Sequence, residues 1–464
     1  MLRNVFLLPT LALVAWAQPQ HQHPQVVTPQ AKPESGAPPT PQQPLFPGPA
    51  LRLEDLEKMA LAGNPSLKQA SAAIRAAEGR QQQAGLYPNP IVGYTADEVS
   101  RGPIIAGGEH GAFVEQRIVT GGKLGFARKI AEQEAMQTRA SAEAQRYRVL
   151  NAVRSLFYQA LGEQRLVQVR TQLARLAQRA VTTTRELANV GQADRPDVLA
   201  VDIEAQRLEL GLITARNGLE RTWRQLAAVT GNPALRPVPL EGKLEELPKL
   251  EFEGALAKIF EASPELKTAE VGASRADLIV RQAKAAVIPD IVARAGLHYN
   301  YERLELNQSR IGWQGSAEVG VALPLFNRNQ GARAAAKADA ERAQLEVDRT
   351  KLALRARLAS VYREYQDAAA SIERYRTVMI PRAQEAYNLY LNSFRQMAAA
   401  YPQVVITQRN LFQLQEDYVA ALIGAWQRSI EIQGLLLGAG VEMDGGSIPA
   451  MMTSGPGQVD QRNE

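Results

Sequence analysis

Residues 64–68 read Asn-Pro-Ser-Leu-Lys, and residues 263–267, about 200 positions later, read Ser-Pro-Glu-Leu-Lys. The correspondence continues in order, because Leu-Tyr-Pro-Asn-Pro at 86–90 matches Val-Ile-Pro-Asp at 287–290. Each match is followed by two short alternating segments, a very long Ala/Gln/Arg/Glu-rich stretch, a break at Pro196 or Pro402, and a further helical run. We therefore predict an internal two-fold repeat, with copies at about 51–231 and 252–438 and a linker at 232–251.

The composition favours long helices over a compact globule. Of the 464 residues, 45% are hydrophobic but only 6% are aromatic, and the apolar residues are mostly Ala and Leu. The net charge of +5 is spread through both copies without a basic block, so we expect no nucleic-acid partner. The absence of cysteine excludes a disulfide, a thiolate metal site and a lipidated N-terminal Cys in this sequence.

The two ends of the chain differ from the rest. Residues 1–17 read as a secretory signal peptide, with a basic Arg3, an apolar stretch and an Ala-Trp-Ala cleavage site. We expect the Pro/Gln-rich leader at 18–50 to be disordered and the tail at 439–464 to be flexible. His21 and His23 in the leader are compatible with a metal-scavenging tail or with no role. After the signal, no apolar run approaches the ~20 residues of a membrane-spanning helix.

The second copy contains two strongly alternating segments. In 291–302, one face carries Ile291, Ala293, Ala295, Leu297, Tyr299 and Tyr301, and the other carries Arg294, His298, Asn300 and Glu302. Residues 313–323 repeat the pattern, with Gln314, Ser316 and Glu318 on the polar face. Strands of ~10 residues with an apolar outside, a polar inside and Tyr and Trp near one end are typical of outer-membrane barrels, although a soluble amphipathic hairpin has the same periodicity.

The first copy shows the same pattern less regularly, at 91–99 and 112–119 across a Gly-rich loop at about 101–111. The hairpins at about 90–120 and 290–325 supply four strands, whereas the smallest membrane barrels need about eight. An open sheet edge cannot exist in hydrocarbon, so we expect a β-barrel that is shared between subunits. Arg294, His298 and Glu318 would then face the lumen, where they either tune selectivity or are merely wetted.

The remaining sequence predicts helices of matched length. Nothing breaks a helix strongly from 123 to 189, and ~67 residues correspond to about 100 Å. Three-four spacing indicates buried seams at Leu166, Val169, Leu173, Leu176, Ala180 and Leu187, and again at Leu354, Leu358, Val361 and Tyr365. Shorter helices at 64–86, with Asn64 as N-cap, and at 196–230 could lie end to end beside the long one. The predicted fold is mainly α, a long antiparallel coiled-coil assembly beneath a small transmembrane β part.

At this point the chain resembles the outer membrane factor family, the TolC-like channels of tripartite efflux and type I secretion systems. The specific matches are Asn-Pro at 64–65 with Tyr-Pro-Asn-Pro at 87–90, residues 115–123 (Glu-Gln-Arg-Ile-Val-Thr-Gly-Gly-Lys), and Val-Gly-Gln-Ala at 190–193 leading into Asp-Val-Leu at 197–199. The Gly-Gly-Lys junction is similar to the branch that serves cobalt, zinc and cadmium efflux. Met-Ala-Ala-Ala-Tyr-Pro at 397–402 stands where the family usually has a Gly.

The resemblance implies a homotrimer whose twelve strands form one barrel in the outer membrane and whose twelve helices form a tunnel through the periplasm. It also implies two partners, a periplasmic adaptor protein and an inner-membrane efflux pump. On this basis the helix-to-helix turns at 190–198 and about 397–404 are the candidate gate or adaptor contact, with Gly191, Asp194, Pro196, Asp197, Tyr401 and Pro402 as its residues. The Asp pair could ring a cation-selective aperture or simply cap a helix. Gly191 could end the long helix with a positive φ or contact the adaptor.

A third set of residues lies where helices meet strands: Pro88, Pro90, Gly121, Gly122, Pro289 and Pro324. These residues remove backbone donors or permit unusual dihedral angles where the chain must bend. We find no zinc-protease helix pair, phosphate loop or nucleophile elbow, so we predict no enzyme, no catalytic or metal site and no cofactor. We predict a passive export channel for heavy-metal cations or drugs. The alternatives are an exit duct of type I protein secretion and, in a different class, a periplasmic coiled-coil adaptor or scaffold.

Overall fold

The computed structural model describes residues 49–99, 108–303, 309–396 and 401–437. The predicted signal peptide, nearly all of the leader with His21 and His23, the flexible tail and residues 397–400 of the second turn lie outside these ranges.

The elements occur in the same order in the two halves of the described chain. The first half contains α1 (Leu53–Gly63), α2 (Pro65–Ala84), β1 (Ile91–Asp97), β2 (Glu109–Ile118), α3 (Lys123–Asn189) and α4 (Arg195–Val229). The second half contains α5 (Phe252–Ala262), α6 (Pro264–Ala285), β3 (Ile291–Arg303), β4 (Arg310–Val321), α7 (Gln330–Arg374), a π-helical segment (Tyr375–Met379), α8 (Ile380–Arg395) and α9 (Tyr401–Gln433). None of the described helices is both long and apolar enough to cross a membrane.

The four strands form one antiparallel sheet in the order β1-β2-β3-β4, so the pairing of β2 with β3 joins the two halves. Tyr299 lies opposite Trp313, and Ala293 lies opposite Val319, which places the predicted apolar residues of both strands on one face. Arg294 lies opposite Glu318 on the other face. The alternation that we read from the sequence therefore corresponds to the two faces of the sheet.

The predicted limits of three strands were wrong. β2 begins at Glu109, so Gly111 lies within the strand and not in the preceding loop. A Cβ at Gly111 would lie 2.4 Å from the Leu297 carbonyl oxygen, so glycine here permits close approach of β3 and does not signal a turn. β1 ends at Asp97 and β4 ends at Val321, so Leu323 lies beyond the sheet.

The two shorter helices of the first half lie end to end along α3, as predicted. Asn64 is the N-cap of α2, and its side-chain oxygen accepts a hydrogen bond from the backbone N–H of Ser66 at 2.9 Å. The Asn64 amide also donates to the Val229 carbonyl oxygen, at 2.8 Å, where α4 ends. One side chain thus caps α2 and joins it to α4.

The helices form a layer with α3 near its middle. The extensive contacts of α2 and α4 are with α3, whose other side packs against α6 and α9. These two helices in turn pack against α7, and α8 continues along α9. The layer therefore has two outer edges, one formed by α2 and α4 and the other by α7 and α8.

The buried seams agree with the predicted spacing in one half and only in part in the other. Leu354, Leu358, Val361 and Tyr365 are all buried. In α3, Val169 and Leu173 are buried, but Leu176 is 38% exposed and the seam continues through Val167, Ala177 and Val181. The difference arises because α3 contacts several helices, so its buried face is wider than a simple two-helix seam.

Three elements were not predicted from the sequence. The short helices α1 and α5 precede α2 and α6, and the π-helical segment interrupts the long helix of the second half. Pro381 lies just after this segment and lacks an N–H, so a regular α-helical hydrogen bond cannot form there. The linker also packs closely, since Trp426 Nε1 donates to the Leu244 carbonyl oxygen at 2.8 Å.

Candidate functional site

The first helix-to-helix turn is built by one glycine and one carboxylate. Gly191 has φ +76°, and its N–H donates to the Ala188 carbonyl oxygen at 3.1 Å, which ends α3. Asp194 is the N-cap of α4, and its backbone N–H donates to the Asp197 carboxylate at 3.3 Å. Pro196 occupies the first turn of α4, where a missing N–H costs nothing. Both aspartates are exposed, so capping leaves them available to solvent.

The second turn is described only from its far side. Tyr401 and Pro402 are the first two residues of α9, and Pro402 is exposed. The helix therefore starts one residue before the predicted break, again with proline in its first turn.

The two turns are brought together at a cavity of about 670 Å³ between α3, α4 and α9. Asp197 and Pro402 line it, whereas Gly191, Asp194 and Pro196 do not. Its apolar wall includes Leu173, Leu187 and Phe412. The structure therefore brings Asp197 of the first turn and Pro402 of the second turn to the same cavity.

Two ion pairs at this cavity join α9 to α3 and α4. The Arg170 guanidinium contacts the Glu416 carboxylate through Nε at 2.7 Å and Nη2 at 2.9 Å, and its Nη1 donates to the Gly211 carbonyl oxygen at 2.8 Å. Arg409 lies 2.7 Å from the carboxylate of Glu204. Nothing in the sequence indicated these pairs, because their members are far apart along the chain.

The polar face of the sheet carries the three predicted lumen residues. His298 Nε2 lies 3.1 Å from a Glu109 carboxylate oxygen. The Arg294 guanidinium carbon lies 3.9 Å from the centre of the Phe113 ring. Glu318 is exposed on β4, directly opposite Arg294 in the register.

The opposite face is apolar and exposed in the single chain. Val92, Val319 and Trp313 are 73%, 72% and 68% exposed. Aromatic rings cluster toward one end of this face, where Tyr299 packs edge-on against both Trp313 and Tyr301. An apolar band with Tyr and Trp at its border matches the environment of a lipid interface.

The junction between helices and strands centres on Asp290, which the sequence reading did not single out. Its carboxylate accepts hydrogen bonds from Arg117 Nε and Nη2 at 2.9 and 2.7 Å, Lys123 Nζ at 2.8 Å and the Thr120 N–H at 3.2 Å. These contacts join the end of β2 and the start of α3 to the start of β3. Burial would raise the pKa of Asp290, but the bonds from Lys123, Arg117 and Thr120 prevail and lower it from 3.8 to about 2.

The predicted junction residues surround this cluster. Gly121 and Gly122 have φ +66° and +69° and form the turn between β2 and α3. The Pro289 carbonyl oxygen accepts a hydrogen bond from Thr120 Oγ1 at 2.5 Å, and that of Pro88 accepts one from Gln116 Nε2 at 3.0 Å. Pro90 immediately precedes β1, and Pro324 lies between β4 and α7.

We found no group of three or more His, Asp or Glu side chains placed to hold a metal ion in the described ranges. What the site offers instead is a polar strand face, an apolar strand face and one helix turn with two exposed aspartates, Asp194 and Asp197.

Comparison with known proteins places this geometry in a family. The family model described as outer membrane efflux protein matches residues 56–232 and 255–436. The cobalt-zinc-cadmium resistance protein CzcC of Cupriavidus metallidurans is 27% identical, over 85% of this chain and 92% of its own length.

Two solved structures share the fold. The outer-membrane channel OprN has a TM-score of 0.69 at 16% identity and covers 83% of this chain and 90% of its own. The outer membrane protein VceC of Vibrio cholerae has a TM-score of 0.68 at 19% identity, with 83% and 96% covered. The family confirms the predicted resemblance, the outer-membrane localisation and the expectation that the protein is not an enzyme. The chain therefore belongs to the outer membrane efflux protein family.

Proposed function

We propose that this protein is a passive export channel formed by three copies of the chain, with a shared strand barrel in the outer membrane and a helical tunnel in the periplasm. One observation carries the proposal. The sheet and the helical layer each have two outer edges with no neighbouring element in the described part of the chain, and the edges of the sheet are connected to those of the layer. β1 follows α2 at one edge, and β4 precedes α7 at the other. A contact between unlike edges that closes on itself produces a ring, and three copies give twelve strands.

The exposed apolar face of the sheet supports a membrane location for the strands. In water, Val92, Trp313 and Val319 would form an unfavourable exposed patch, whereas lipid would cover them. Arg294, His298 and Glu318 would then line the lumen of the closed barrel. The equal order of elements supports the proposed two-fold repeat, in which each copy contributes two strands to this barrel.

We infer that the helix turns are the periplasmic gate and the docking site for an adaptor linked to an inner-membrane pump. In a three-fold ring, Asp194 and Asp197 contribute six carboxylates, and their negative potential would favour cations over anions. Asp194→Asn should therefore reduce metal export while leaving the amount of assembled protein unchanged. Asp339→Asn is the matched control, because it removes a charge from α7, away from the turns. Equal export by the two variants would contradict the gate assignment.

For the cargo we propose heavy-metal cations, and the name of the relative CzcC is the support. The test is growth of a deletion strain in graded zinc, cobalt, cadmium and copper, beside dyes, detergents and antibiotics. Sensitivity to metals alone, reversed by the wild-type gene, is the expected result. Sensitivity to organic compounds alone would replace the metal assignment by drug export. Failure to secrete a protein, with no sensitivity, would indicate a type I secretion duct.

A further inference from the structure

The two edges of the helical layer carry exposed apolar side chains close to the helix-to-helix turns. On α4, Leu199 is 53% and Ile203 is 62% exposed. On α8, Leu389 is 61% exposed. In the described part of the chain, more than half of the surface of each of these residues remains exposed, although each lies on a helix whose other face is packed.

Ile203 and Leu389 point away from their own layer. Leu212 is buried against α3, and Ile203 lies nine residues before it on α4. At about 100° per residue, a separation of nine residues places two side chains on opposite faces of a helix. Leu389 lies nine residues from Ile380, which lines the groove between α3, α8 and α9. Both residues therefore face outward at opposite edges.

The axial position of each edge follows from ion pairs that cross the layer. Arg170 of α3 bonds to Gly211 of α4 and Glu416 of α9, so these residues share one level. Arg428 lies twelve residues farther along α9 and pairs with Glu364 of α7. At 1.5 Å per residue, Glu364 is about 18 Å above the Arg170 level, where "above" means away from the turns.

Leu389 lies 25 residues beyond Glu364 toward the turns, which places it about 19 Å below the Arg170 level. Leu199 and Ile203 lie about 18 and 12 Å below the same level, counted from Gly211. Side chains tilt toward the N-terminus of a helix, so Leu389 leans upward and Ile203 leans downward. Leu389 therefore lies level with the gap between Leu199 and Ile203.

Cyclic symmetry about an axis parallel to the helices rotates each copy without shifting it along the axis. We propose that Leu389 of one copy packs between Leu199 and Ile203 of the next copy and so forms the lower seam of the ring. This inference rests on the proposed ring assembly and adds the residues that close it.

Cysteine pairs test the seam directly, because the natural sequence has no cysteine. Leu389→Cys is combined with Ile203→Cys in one variant and with Leu199→Cys in another, and the proteins are oxidised and separated without reductant. The control combines Ile203→Cys with Leu352→Cys, which is also exposed on α7 but lies about 48 Å higher. A disulfide requires Cα atoms within ~7 Å, so the control pair cannot bridge in the proposed ring.

The expected result is at least about tenfold more covalent dimer and trimer from either seam pair than from the control. Light scattering of the reduced proteins supplies the separate readout. Trimers without seam disulfides would overturn the seam and leave the proposed channel standing. Monomers for the wild type as well would overturn the ring itself, and with it the proposed function.

Discussion

Asp290→Asn removes one charge from the junction where the sheet meets the helices and leaves the side-chain shape unchanged. The carboxylate side chain is only 10% exposed and is held by Arg117, Lys123 and the Thr120 N–H. An amide presents one acceptor oxygen and an NH₂ group that faces these cationic donors. The variant therefore loses at least one charge-assisted bond and leaves Lys123, itself 22% exposed, without its counter-ion.

The lowered pKa of Asp290 sets the size of the effect. A change from 3.8 to about 2 corresponds to roughly 2 kcal/mol at 1.36 kcal/mol per unit. Arg117 is 63% exposed and solvent screens its share, so we expect a loss of about 1–2 kcal/mol at pH 7. Because the folded pKa lies below the unfolded one, this stabilisation is complete above about pH 4–5 and disappears as the pH falls toward 2.

Thermal unfolding of the purified protein in detergent, followed by circular dichroism at pH 7 and pH 3, measures the effect. We expect Asp290→Asn to lower the midpoint by about 1–4 °C at pH 7 and by clearly less at pH 3. Asp339→Asn is the control, because its partner Arg342 and the aspartate itself are 83% and 62% exposed. An unchanged midpoint for Asp290→Asn at pH 7, or an equal decrease for Asp339→Asn, would refute the role of the cluster.

Three further predictions concern stability and use the same unfolding measurement. Gly121→Ala should cost about 1–2 kcal/mol, because φ is +66° and the new Cβ would lie 3.0 Å from Ile288. Gly125→Ala in the first turn of α3, where a Cβ would meet no described atom within 4 Å, should change the stability by less than about 0.5 kcal/mol, and the opposite order would contradict the turn assignment. Glu416→Gln should cost about 1–3 kcal/mol, since it leaves the partly buried Arg170 guanidinium without its counter-ion. Glu373→Gln, at a pair whose two side chains are each 58% exposed, should cost under about 0.5 kcal/mol, and equal losses would argue against the α3–α9 pair. Leu358→Ala should cost about 2–5 kcal/mol because Leu358 is fully buried, and a loss below about 1 kcal/mol would place it outside the core.

Local chemistry predicted the parts of the fold that depend on neighbouring residues. The Asn64 cap, the left-handed Gly191 and the two faces of β3 each follow from a residue type at a fixed spacing. The limits of β2 failed for a different reason. Gly111 has the same residue type as a loop glycine, and only the position of β3 shows that close strand approach is its role.

The ion pairs and the Asp290 cluster could not be predicted, because they depend on how distant segments meet. Arg170 and Glu416 are 246 residues apart, and Arg117 and Asp290 are 173 apart. The π-helical segment is an intermediate case. Pro381, within a helical run, is a local signal for an interruption that we did not use, and the type of interruption follows from how α7 and α8 both pack along α9.

The most direct test of the proposed channel is metal release from living cells. A deletion strain that carries either an empty vector or the wild-type gene is loaded with zinc, cobalt or cadmium, and cell-associated metal is followed after transfer to metal-free medium. We expect slow release without the gene and fast release with it, while an exported dye is unaffected. Equal release of all three metals in both strains would contradict it.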